Sequence, residues 1–599
     1  MHRRNLIKGM AAAIALQPDF LSRLATRAVA APRVTRVRPG DAAWPSPESW
    51  AKLNEAVGGN LIAAPPPFGA CAADPAGATC ADAVGNIRNP FYLGDQPGGT
   101  QVSGWLDAWT PASSAYAVKA RSTSDVAAAV NFARDNNLRL VVKGTGHSYQ
   151  GTSNAPDSLL VWTRAMNKVT VHDAFTPQGC DGKIAAVPAV TAEAGAVWID
   201  LYHAVTSEAG RYVQGGGCAD VGVAGLVQSG GFGTFSKGFG TAAGGLLEAE
   251  IVTADGAVRI ANACTNADLF WAIKGGGGGS WGVITKLTLR THDLPEYFGA
   301  AWGGVKAQSD DAFRRLIARF FAFYAESLFN PHWGEQVAFD SNNMLTLFMV
   351  CQGLDNAQAN AAWRPFFDWV AASPQDFSFI GVHGAGAAPA RRFWNVDGNR
   401  FMIADTRPGA PNYHGWWRGD QDQVGMFLHG YESLWLPASL LQEAEQTRLA
   451  DAIFAASRRK KIDLHFNKGL AGAPDEAITA ARDTATNPAM TEAFALAIIA
   501  DGEGPHYPGL PRPAVDVAKA RADAQTIDAA TAVLRTVAPN PGSYVSESNY
   551  FNSSWREAFW GSNYARLRAV KDKYDPDGLF FVHHGVGSED WSDDGFTRV

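Results

Sequence analysis

The sequence predicts an α+β protein with two or three domains, and three observations support this. Its 599 residues exceed the ~100–200 residues of one ordinary domain, and 46% of them are hydrophobic, which is enough for a large core. Short apolar strands alternate with helices from about residue 117 to 290. From 294 to 540 amphipathic helices alternate with strands, which indicates a second α+β unit laid over the first.

Hydrophobic periodicity places the individual elements. Ser124 is expected to cap the first helix, and a hairpin is expected around Asp255-Gly256. Further helices are expected at 198–209, 311–327 and 442–458. Strands are expected at 138–142, 159–162, 187–194, 285–290, 344–351, 423–429 and 461–467.

The composition excludes some functional classes. A formal net charge of −7 argues against a nucleic-acid-binding protein, which would present a basic face. The 62 glycines are clustered without a period, which excludes collagen and favours backbone held close to a ligand. The 19 tryptophans fit either a large core or an aromatic substrate cleft. No CxxC or HExxH motif indicates zinc, so no metal is expected.

The first 31 residues have the features of a targeting signal. Arg3-Arg4 begins a stretch that resembles a twin-arginine motif, a short apolar run follows at 9–16, and Ala28 to Ala31 offer cleavage positions. We therefore expect a signal peptide, the Tat export machinery as a partner, and a bacterial protein in the periplasm or outside the cell. No stable membrane anchor is expected, and the alternative is an uncleaved basic tail.

Two of the six cysteines are expected to form a disulfide. Cys71 and Cys80 flank a loop that contains Pro75 and Gly77, and an exported protein meets an oxidising environment.

Three glycine-rich stretches indicate a cofactor. They lie at 144–151, 215–245 and 275–282, each near the end of a predicted strand. Glycine lets backbone N–H groups approach phosphate oxygens. None of the stretches is a P-loop, and no GxGxxG follows a first strand. We therefore expect a large phosphate-bearing cofactor held by a different fold.

A nucleophilic side chain lies inside each of the first two stretches. His147 lies in the first and Cys218 in the second. Neither residue alone indicates a function, because a loop histidine is usually structural and an apolar cysteine is usually inert. Together they fit an oxidised flavin, whose methyl group and neighbouring ring carbon react with imidazole and thiolate.

Four motifs carry a family resemblance. They read KGTGHSYQG at 143–151, GCADVGVAG at 217–225 with SGGFG at 229–233, GGGGSWGVIT at 276–285, and WGSNYARL at 560–567. In these motifs the chain resembles the vanillyl-alcohol-oxidase or PCMH type of FAD-linked oxidase, in the berberine-bridge-enzyme-like branch. Lys143 and Thr145 stand where many members have arginine and glycine, which is closer to a fungal alcohol-oxidase-like subgroup.

The resemblance implies a fold and a division of the chain. The fold is α+β, with a PCMH-type FAD-binding domain of two α/β subdomains and a substrate domain whose antiparallel sheet is covered by helices. The expected units are a signal at 1–31, an irregular N-terminal wrap at 32–112, the FAD-binding domain at 113–293, the substrate domain at 294–540, and a berberine-bridge-like segment at 541–599 that returns to the FAD domain.

The motif match also implies the site residues. His147 and Cys218 are expected to hold FAD covalently. The other expected cofactor-binding residues are Lys143, Gly144, Thr145, Gly146, Ser148, Gly151, Gly217, Val221, Gly222, Gly225, Gly230, Gly231, Gly233, Gly282, Val283, Ile284, Asn563 and Tyr564.

The expected catalytic residues come from the segment after Tyr544. Related sugar oxidases have a tyrosine base there, and Glu547 stands at the corresponding position. We expect Glu547 to take the substrate hydroxyl proton and Tyr544 to orient that hydroxyl. Asp501 and Glu503 are alternatives for the base.

The expected activity is oxidation of an alcohol, sugar or phenolic natural product, with hydride transfer to FAD and electrons passed to O₂ to give H₂O₂. The substrate is expected to be a small molecule, and bulky molecules are included. Val221 favours O₂ access by its resemblance to plant enzymes, although a dehydrogenase with another acceptor stays open. Two further alternatives are a secreted carbohydrate-binding protein and a MurB-like reductase that holds flavin without a covalent bond.

Overall fold

The computed structural model describes residues 34–599, so the expected signal at 1–31 lies outside the described residues. The architecture combines helices with four sheets, which confirms the predicted α+β class. No helix in residues 34–599 is long and apolar enough to cross a membrane.

The N-terminal segment, residues 34–112, is less irregular than the sequence predicts. Two of its helices begin with a cap followed by proline, Ser46-Pro47 and Asn89-Pro90. Proline is tolerated in the first helical turn, so prolines that suggest loops mark helix starts here. The elements are α1 (Pro47–Ala56), β1 (Leu61–Ile62), α2 (Gly69–Ala73), α3 (Ala78–Gly85), α4 (Pro90–Gly94) and β2 (Gly104–Trp105).

The next part of the chain forms two sheets with intervening helices. Its elements are β3 (Tyr116–Lys119), α5 (Thr123–Asp135), β4 (Arg139–Lys143), β5 (Ser158–Trp162), β6 (Val169–Phe175), β7 (Val187–Glu193), α6 (Trp198–Leu201), β8 (Arg211–Val213), α7 (Val223–Gln228), α8 (Ser236–Phe239), β9 (Leu246–Val252), β10 (Val258–Asn262), α9 (Ala267–Ile273) and β11 (Val283–Asp293).

These two sheets differ in strand direction. The smaller sheet has the order β1-β3-β5-β4, and β3 and β4 both run parallel to β5. The larger sheet, β10-β9-β11-β7-β6, is antiparallel, and β8 also pairs with β11. The predicted strands at 138–142, 159–162, 187–194 and 285–290 and the predicted hairpin are confirmed within a few residues.

The third part of the chain is larger. Its elements are β12 (Tyr297–Ala307), α10 (Asp310–Phe323), β13 (Trp333–Asp340), β14 (Met344–Gln352), α11 (Asn356–Ala371), β15 (Phe377–Pro389), β16 (Met402–Ala404), β17 (Gly415–Trp417), β18 (Phe427–Pro437), α12 (Glu443–Ser457), β19 (Ile462–His465), α13 (Asp475–Arg482), β20 (Ala493–Glu503), α14 (Val517–Arg535), α15 (Trp555–Trp560) and α16 (Tyr564–Tyr574).

An eight-stranded sheet dominates this third part. Its order is β15-β12-β14-β13-β19-β20-β18-β2, and every pair is antiparallel except β18 with β2. Helices α10, α11, α12 and α14 pack on it around buried side chains such as Phe320, Trp363 and Ile453. The predicted antiparallel sheet covered by helices is therefore confirmed.

The C-terminal helices return to the first half of the chain. Trp560 donates its Nε1 hydrogen to the carbonyl of Gly275 at 3.1 Å. Lys571 is buried and donates from Nζ to the carbonyl of Ser280 at 2.8 Å. Helices α15 and α16 therefore hold the third glycine-rich stretch in place.

Three element predictions need correction. The first helix is capped by Ser122, whose side chain accepts from Asp125, so the cap is two residues before the predicted Ser124. The helix predicted at 198–209 is α-helical only to Leu201, and a π-helix follows from Tyr202 to Glu208. The strand predicted from 423 begins at Phe427, because Gly425 has a φ of 79°.

The structure contains two disulfides among its described residues. Cys71–Cys80 confirms the sequence prediction. Cys180–Cys264 was not predicted, since 84 residues separate the two cysteines and no local signal pairs them. Cys218 and Cys351 are free thiols.

Candidate active site

The first glycine-rich loop follows β4 and carries His147 at its tip. The His147 side chain is 29% exposed. Gly146, just before it, has a φ of 85°, a conformation that favours glycine. Gln101 holds this turn in place, because its backbone N–H donates to Gly146 O at 3.1 Å and its Nε2 donates to Thr145 O at 3.3 Å. The N-terminal segment therefore sets the position of the histidine loop.

Lys143, at the end of β4, also joins the histidine loop to the N-terminal segment. Its buried ammonium donates to the carbonyls of Gln96, Pro97 and Gly99 at 2.7, 2.6 and 3.0 Å. Burial lowers the pKa of Lys143 to about 7. The Lys143 side chain thus holds protein carbonyls, which differs from the cofactor contact expected from the motif.

The second loop, between β8 and α7, lies directly against the first. The backbone N–H of Gly222 donates to Thr145 Oγ1 at 3.1 Å. His147 Nε2 forms a hydrogen bond with Oδ2 of the buried Asp220. Cys218 lies two residues before Asp220, so the structure brings the loops of the two predicted attachment residues together.

Carboxyl groups surround Cys218. Burial raises the pKa of the Cys218 thiol well above its usual value, and Asp420, Asp220 and Glu335 raise it further. Asp420 Oδ2 is buried and has no hydrogen-bond partner among the described residues. Burial raises the pKa of Asp420 to about 7, with Asp220 as the next cause. Cys218 is therefore a protonated thiol here, with a proton acceptor beside it.

Glu335 reaches this site through an unusual backbone conformation. It lies within β13 but has a φ of 63°, which is uncommon for a residue with a side chain. A Cβ placed on Gly217 would lie 3.5 Å from Glu335 Oε1. Burial is the main reason that the pKa of Glu335 is raised. The glutamate therefore faces the Cys218 loop.

Glu547 and an unpredicted lysine form an ion pair close by. Lys468 Nζ lies 2.6 Å from each carboxylate oxygen of Glu547, and the two side chains are 12% and 17% exposed. Burial raises the pKa of Tyr149, Tyr431 and Tyr544, and the charge of Glu547 raises each of them further. Glu547 thus lies among these three tyrosines.

The tyrosines link this ion pair to the attachment loops. The rings of Tyr149 and Tyr431 stack with centroids 4.9 Å apart. Cys218 also raises the pKa of both, so both rings lie near Cys218 as well as near Glu547. Tyr544 is held through its backbone N–H, which donates to Ser433 Oγ at 3.2 Å. His147, Cys218, Tyr544 and Glu547 therefore belong to one site.

Several predicted glycines are explained by protein packing. A Cβ on Gly233 would lie 1.6 Å from Gly215 O, and one on Gly231 would lie 2.5 Å from the Ala242 Cβ. Gly151 would meet the Trp109 ring at 2.5 Å. Gly225, by contrast, has no protein atom within 4 Å of such a Cβ. Close contact between backbone segments is thus a second reason for the glycines.

The remaining predicted residues make protein contacts of other kinds. Asn563 Nδ2 donates to Thr486 O at 3.0 Å, and Tyr564 OH donates to Glu589 at 2.5 Å. The carbonyls of Gly144 and Val221 accept hydrogen bonds from Trp162 and Trp198. Ser148 is hydrogen-bonded to Thr152, and Gly230 lies beside Thr486. Gly282, Val283 and Ile284 lie at or in β11, which pairs with β9. Asn563 therefore joins the C-terminal segment to the segment at Thr486, and Tyr564 bonds within the C-terminal segment.

Unpaired polar groups show whether a phosphate-bearing cofactor fits this site. The backbone N–H groups of residues 144–147 and 217–221 donate to no other described residue. Buried side-chain atoms without a partner are Gln150 Nε2, Gln228 Oε1 and Ser280 Oγ. Buried polar groups without partners are costly, so such an array fits a ligand rich in acceptors, as a dinucleotide is.

Comparisons with known proteins agree with this chemistry. Residues 114–262 match the FAD binding domain model, and residues 543–587 match the berberine and berberine-like model. The VAO-type flavoprotein oxidase VAO615 of Thermothelomyces thermophilus is 29% identical over 94% of this chain and 95% of its own. The chain is therefore an FAD-dependent oxidoreductase that is similar to FAD-linked oxidases of the vanillyl-alcohol-oxidase type.

Solved structures support the fold of this FAD-linked oxidase. MtVAO615 from Myceliophthora thermophila C1 superposes with a TM-score of 0.75, at 26% identity, over 94% of this chain and 100% of its own. Glucooligosaccharide oxidase from Acremonium strictum, described with 6-S-cysteinyl, 8α-N1-histidyl FAD, has a TM-score of 0.58 at 18% identity, over 81% of this chain and 94% of its own. The alternative of a carbohydrate-binding protein without FAD is not supported.

The expected bacterial origin and localisation are wrong. The curated relatives, from Thermothelomyces, Arthroderma, Aspergillus and Gibberella among others, are fungal and point to a eukaryotic protein. Two arginines before a short apolar run form too brief a pattern to establish a bacterial export route.

Sequence reasoning gave no role to six residues of the site, which are Asp220, Lys468, Asp420, Tyr431, Glu335 and Tyr149. Asp220 lies inside the second motif but received no role, although a carboxylate two residues after Cys218 was a visible signal. Lys468, Asp420 and Tyr431 belong to the middle part of the chain, where no motif marks them. They reach the site only because strands and loops distant in sequence meet there.

Proposed function

We propose that the oxidase holds FAD through His147 and, by a second link, through Cys218. The observation that carries this is the contact between the two loops, with both side chains beside Asp220. The similar fold of glucooligosaccharide oxidase, whose FAD has both links, supports the pairing. The Lys143 and Gln101 contacts hold the histidine loop in place for this role.

The second link requires Cys218 to lose its proton. A thiolate is the nucleophile, and the carboxyl groups around Cys218 oppose its formation. Asp420 is the carboxyl group whose charge acts most strongly on the Cys218 thiol, and burial raises its pKa to about 7, so it is the acceptor that we assign to this proton. We therefore expect the cysteine link to form after the histidine link.

The substrate is an alcohol-bearing small molecule, and carbohydrates are the first class to test. Carbohydrate oxidase from Microdochium nivale and xylooligosaccharide oxidase from Myceliophthora thermophila C1 share the fold. The stacked Tyr149 and Tyr431 rings offer a surface for a sugar or phenol ring. When bound, FAD supplies a hydride acceptor whose electrons pass on to O₂, and the small Val221 leaves O₂ access open.

Side chains of the protein accept the proton of the substrate hydroxyl and orient that hydroxyl. Glu547 takes the hydroxyl proton, Lys468 holds the Glu547 side chain in position through their ion pair, and Tyr544 orients the hydroxyl. Asp420 is a second candidate for the base, because a pKa of about 7 lies near the working pH at which a base is most effective.

The domain division is also proposed as expected from the sequence. FAD would be held by residues 113–293 and 541–599, and the substrate by 294–540. The family matches at 114–262 and 543–587 support these boundaries.

Acid precipitation and substrate screening test the proposal. Covalent flavin stays in a yellow pellet, whereas dissociable flavin appears in the supernatant. In Cys218→Ala the flavin should stay in the pellet through His147, with a shifted absorption spectrum and a lower redox potential. An unchanged spectrum and potential would remove the second link. H₂O₂ release from alcohols, oligosaccharides and phenolics then identifies the substrate class.

A further inference from the structure

The two ring nitrogens of His147 have different surroundings. Nε2 is hydrogen-bonded to Asp220 Oδ2, and Nδ1 makes no hydrogen bond to any residue in the described range 34–599. The Asp220 side chain is 4% exposed, whereas that of His147 is 29% exposed. One nitrogen of the ring is therefore engaged inside the protein, and the other is available.

Asp220 is held firmly in this position by its own loop. The backbone N–H of Ile199 donates to Ala219 O at 2.9 Å, and that of Trp198 donates to Val221 O at 3.1 Å. The carbonyls on both sides of Asp220 are thus bound to the start of α6. Because Gly222 also donates to Thr145 in the histidine loop, the aspartate and the histidine keep a fixed relation.

A carboxylate can only accept hydrogen bonds, so its partner nitrogen carries the proton. Asp220 therefore selects the imidazole form with hydrogen on Nε2 and a lone pair on Nδ1. We propose that Asp220 is a positioning residue for flavin attachment, which presents Nδ1 of His147 as the atom that bonds to the flavin. This inference rests on the proposed covalent role of His147.

The attachment reaction is a two-electron oxidation. Its oxidant is O₂, which is also the electron acceptor of the oxidase. A bond forms between Nδ1 and the flavin methyl carbon. One hydrogen leaves that carbon and one leaves Nε2, and both protons and the electron pair end on O₂ as H₂O₂. Asp220 faces the Nε2 proton and stabilises the positive charge that develops on the ring as Nδ1 forms its bond.

Variants of Asp220 separate this role from a general effect on folding. Asp220→Ala removes the acceptor, and Asp220→Asn keeps the shape with a weaker acceptor. The matched control is Asp523→Asn, because Asp523 on α14 also bonds a ring nitrogen of a buried histidine, His429, at 3.0 Å. All are made in the full chain and compared after purification.

Two measurements are made on each protein. The first is the fraction of total flavin that stays in the acid pellet as a function of time after synthesis. The second is the identity of the bonded nitrogen, read by NMR on the histidyl flavin isolated from a proteolytic digest. The second measurement responds to the tautomer of His147 and not to the stability of the fold.

The proposal predicts Nδ1 attachment in the wild type and attachment that is roughly 10–100-fold slower in the two Asp220 variants, slowest in Asp220→Ala. Asp523→Asn should attach flavin at the wild-type rate. Nε2 attachment in the wild type, or unchanged rate in Asp220→Asn and Asp220→Ala, would overturn the role of Asp220. A wild-type flavin that is wholly released by acid would instead refute the covalent function of His147.

Discussion

The flavin side and the substrate side of the site differ in how their residues are specified. The flavin side is built from two short loops, 144–151 and 217–222, each continuous in sequence and rich in glycine. The substrate side is assembled from Tyr431, Lys468 and Glu547, which come from three separate stretches. Local motifs therefore reveal cofactor chemistry, whereas the chemistry of the substrate depends on tertiary structure.

The two sides also carry their charge differently. On the substrate side Glu547 is neutralised by Lys468, and both of its oxygens are engaged. On the flavin side Asp420 and Glu335 lack such a cation, and burial raises the pKa of each. Glu547 thus has a cation as its ion-pair partner, whereas Asp420 and Glu335 form no salt bridge with a described residue. Mutation can therefore separate the roles of these carboxyl groups.

The largest expected effect distinguishes these carboxyl groups. Glu547→Gln should slow anaerobic flavin reduction by roughly 10²–10⁴-fold, the usual cost of a lost base, without changing covalent flavin content. Stopped-flow absorbance with a substrate found in the peroxide screen measures the rate. Asp420→Asn should have a much smaller effect, and the reverse order would assign the base to Asp420.

The next-largest effect concerns the two disulfides and the free energy of unfolding. The described disulfides both lie in the first 264 residues, and Cys180–Cys264 closes a far longer loop than Cys71–Cys80. In the chain-entropy model, loss of the longer link costs about 4–5 kcal/mol and loss of the shorter one about 3 kcal/mol. Denaturant unfolding of Cys264→Ser and Cys80→Ser measures both, and a greater loss in Cys80→Ser would contradict this order.

The smallest effect compares two buried lysines, one on each side. Lys143 donates to carbonyls of the N-terminal segment, and Lys237 donates to carbonyls at Gly469, Ala471 and Phe494. Burial lowers the pKa of each from 10.5 to about 7. Between pH 7 and pH 10.5 the unfolded chain binds more protons at these lysines than the folded chain does. The free energy of unfolding should therefore rise with pH in this range.

This rise should begin near pH 7, and each lysine contributes at most ~1.4 kcal/mol per pH unit. Urea unfolding at pH 7 and pH 9 measures it. Lys143→Met and Lys237→Met should each flatten the dependence, besides lowering stability by leaving carbonyls unpaired. A dependence that is equally steep in both variants would show that other groups cause it.

Much of the fold and half of the site could be predicted from the sequence. Strand patterns and the loops around His147 and Cys218 are local, so they are readable without tertiary information. The Glu547–Lys468 pair was missed because 79 residues separate its members, and the Cys180–Cys264 bond because 84 do. The prediction of Glu547 as the base therefore lacked its counter-ion, Lys468.

Peptide mapping of the purified protein tests the central claim, the covalent role of His147, most directly. The claim predicts an FMN or FAD mass adduct on the proteolytic peptide that contains His147, and fragmentation should locate it on that residue. His147→Ala should lack this adduct. An unmodified His147 peptide from a protein fully loaded with flavin would contradict the account.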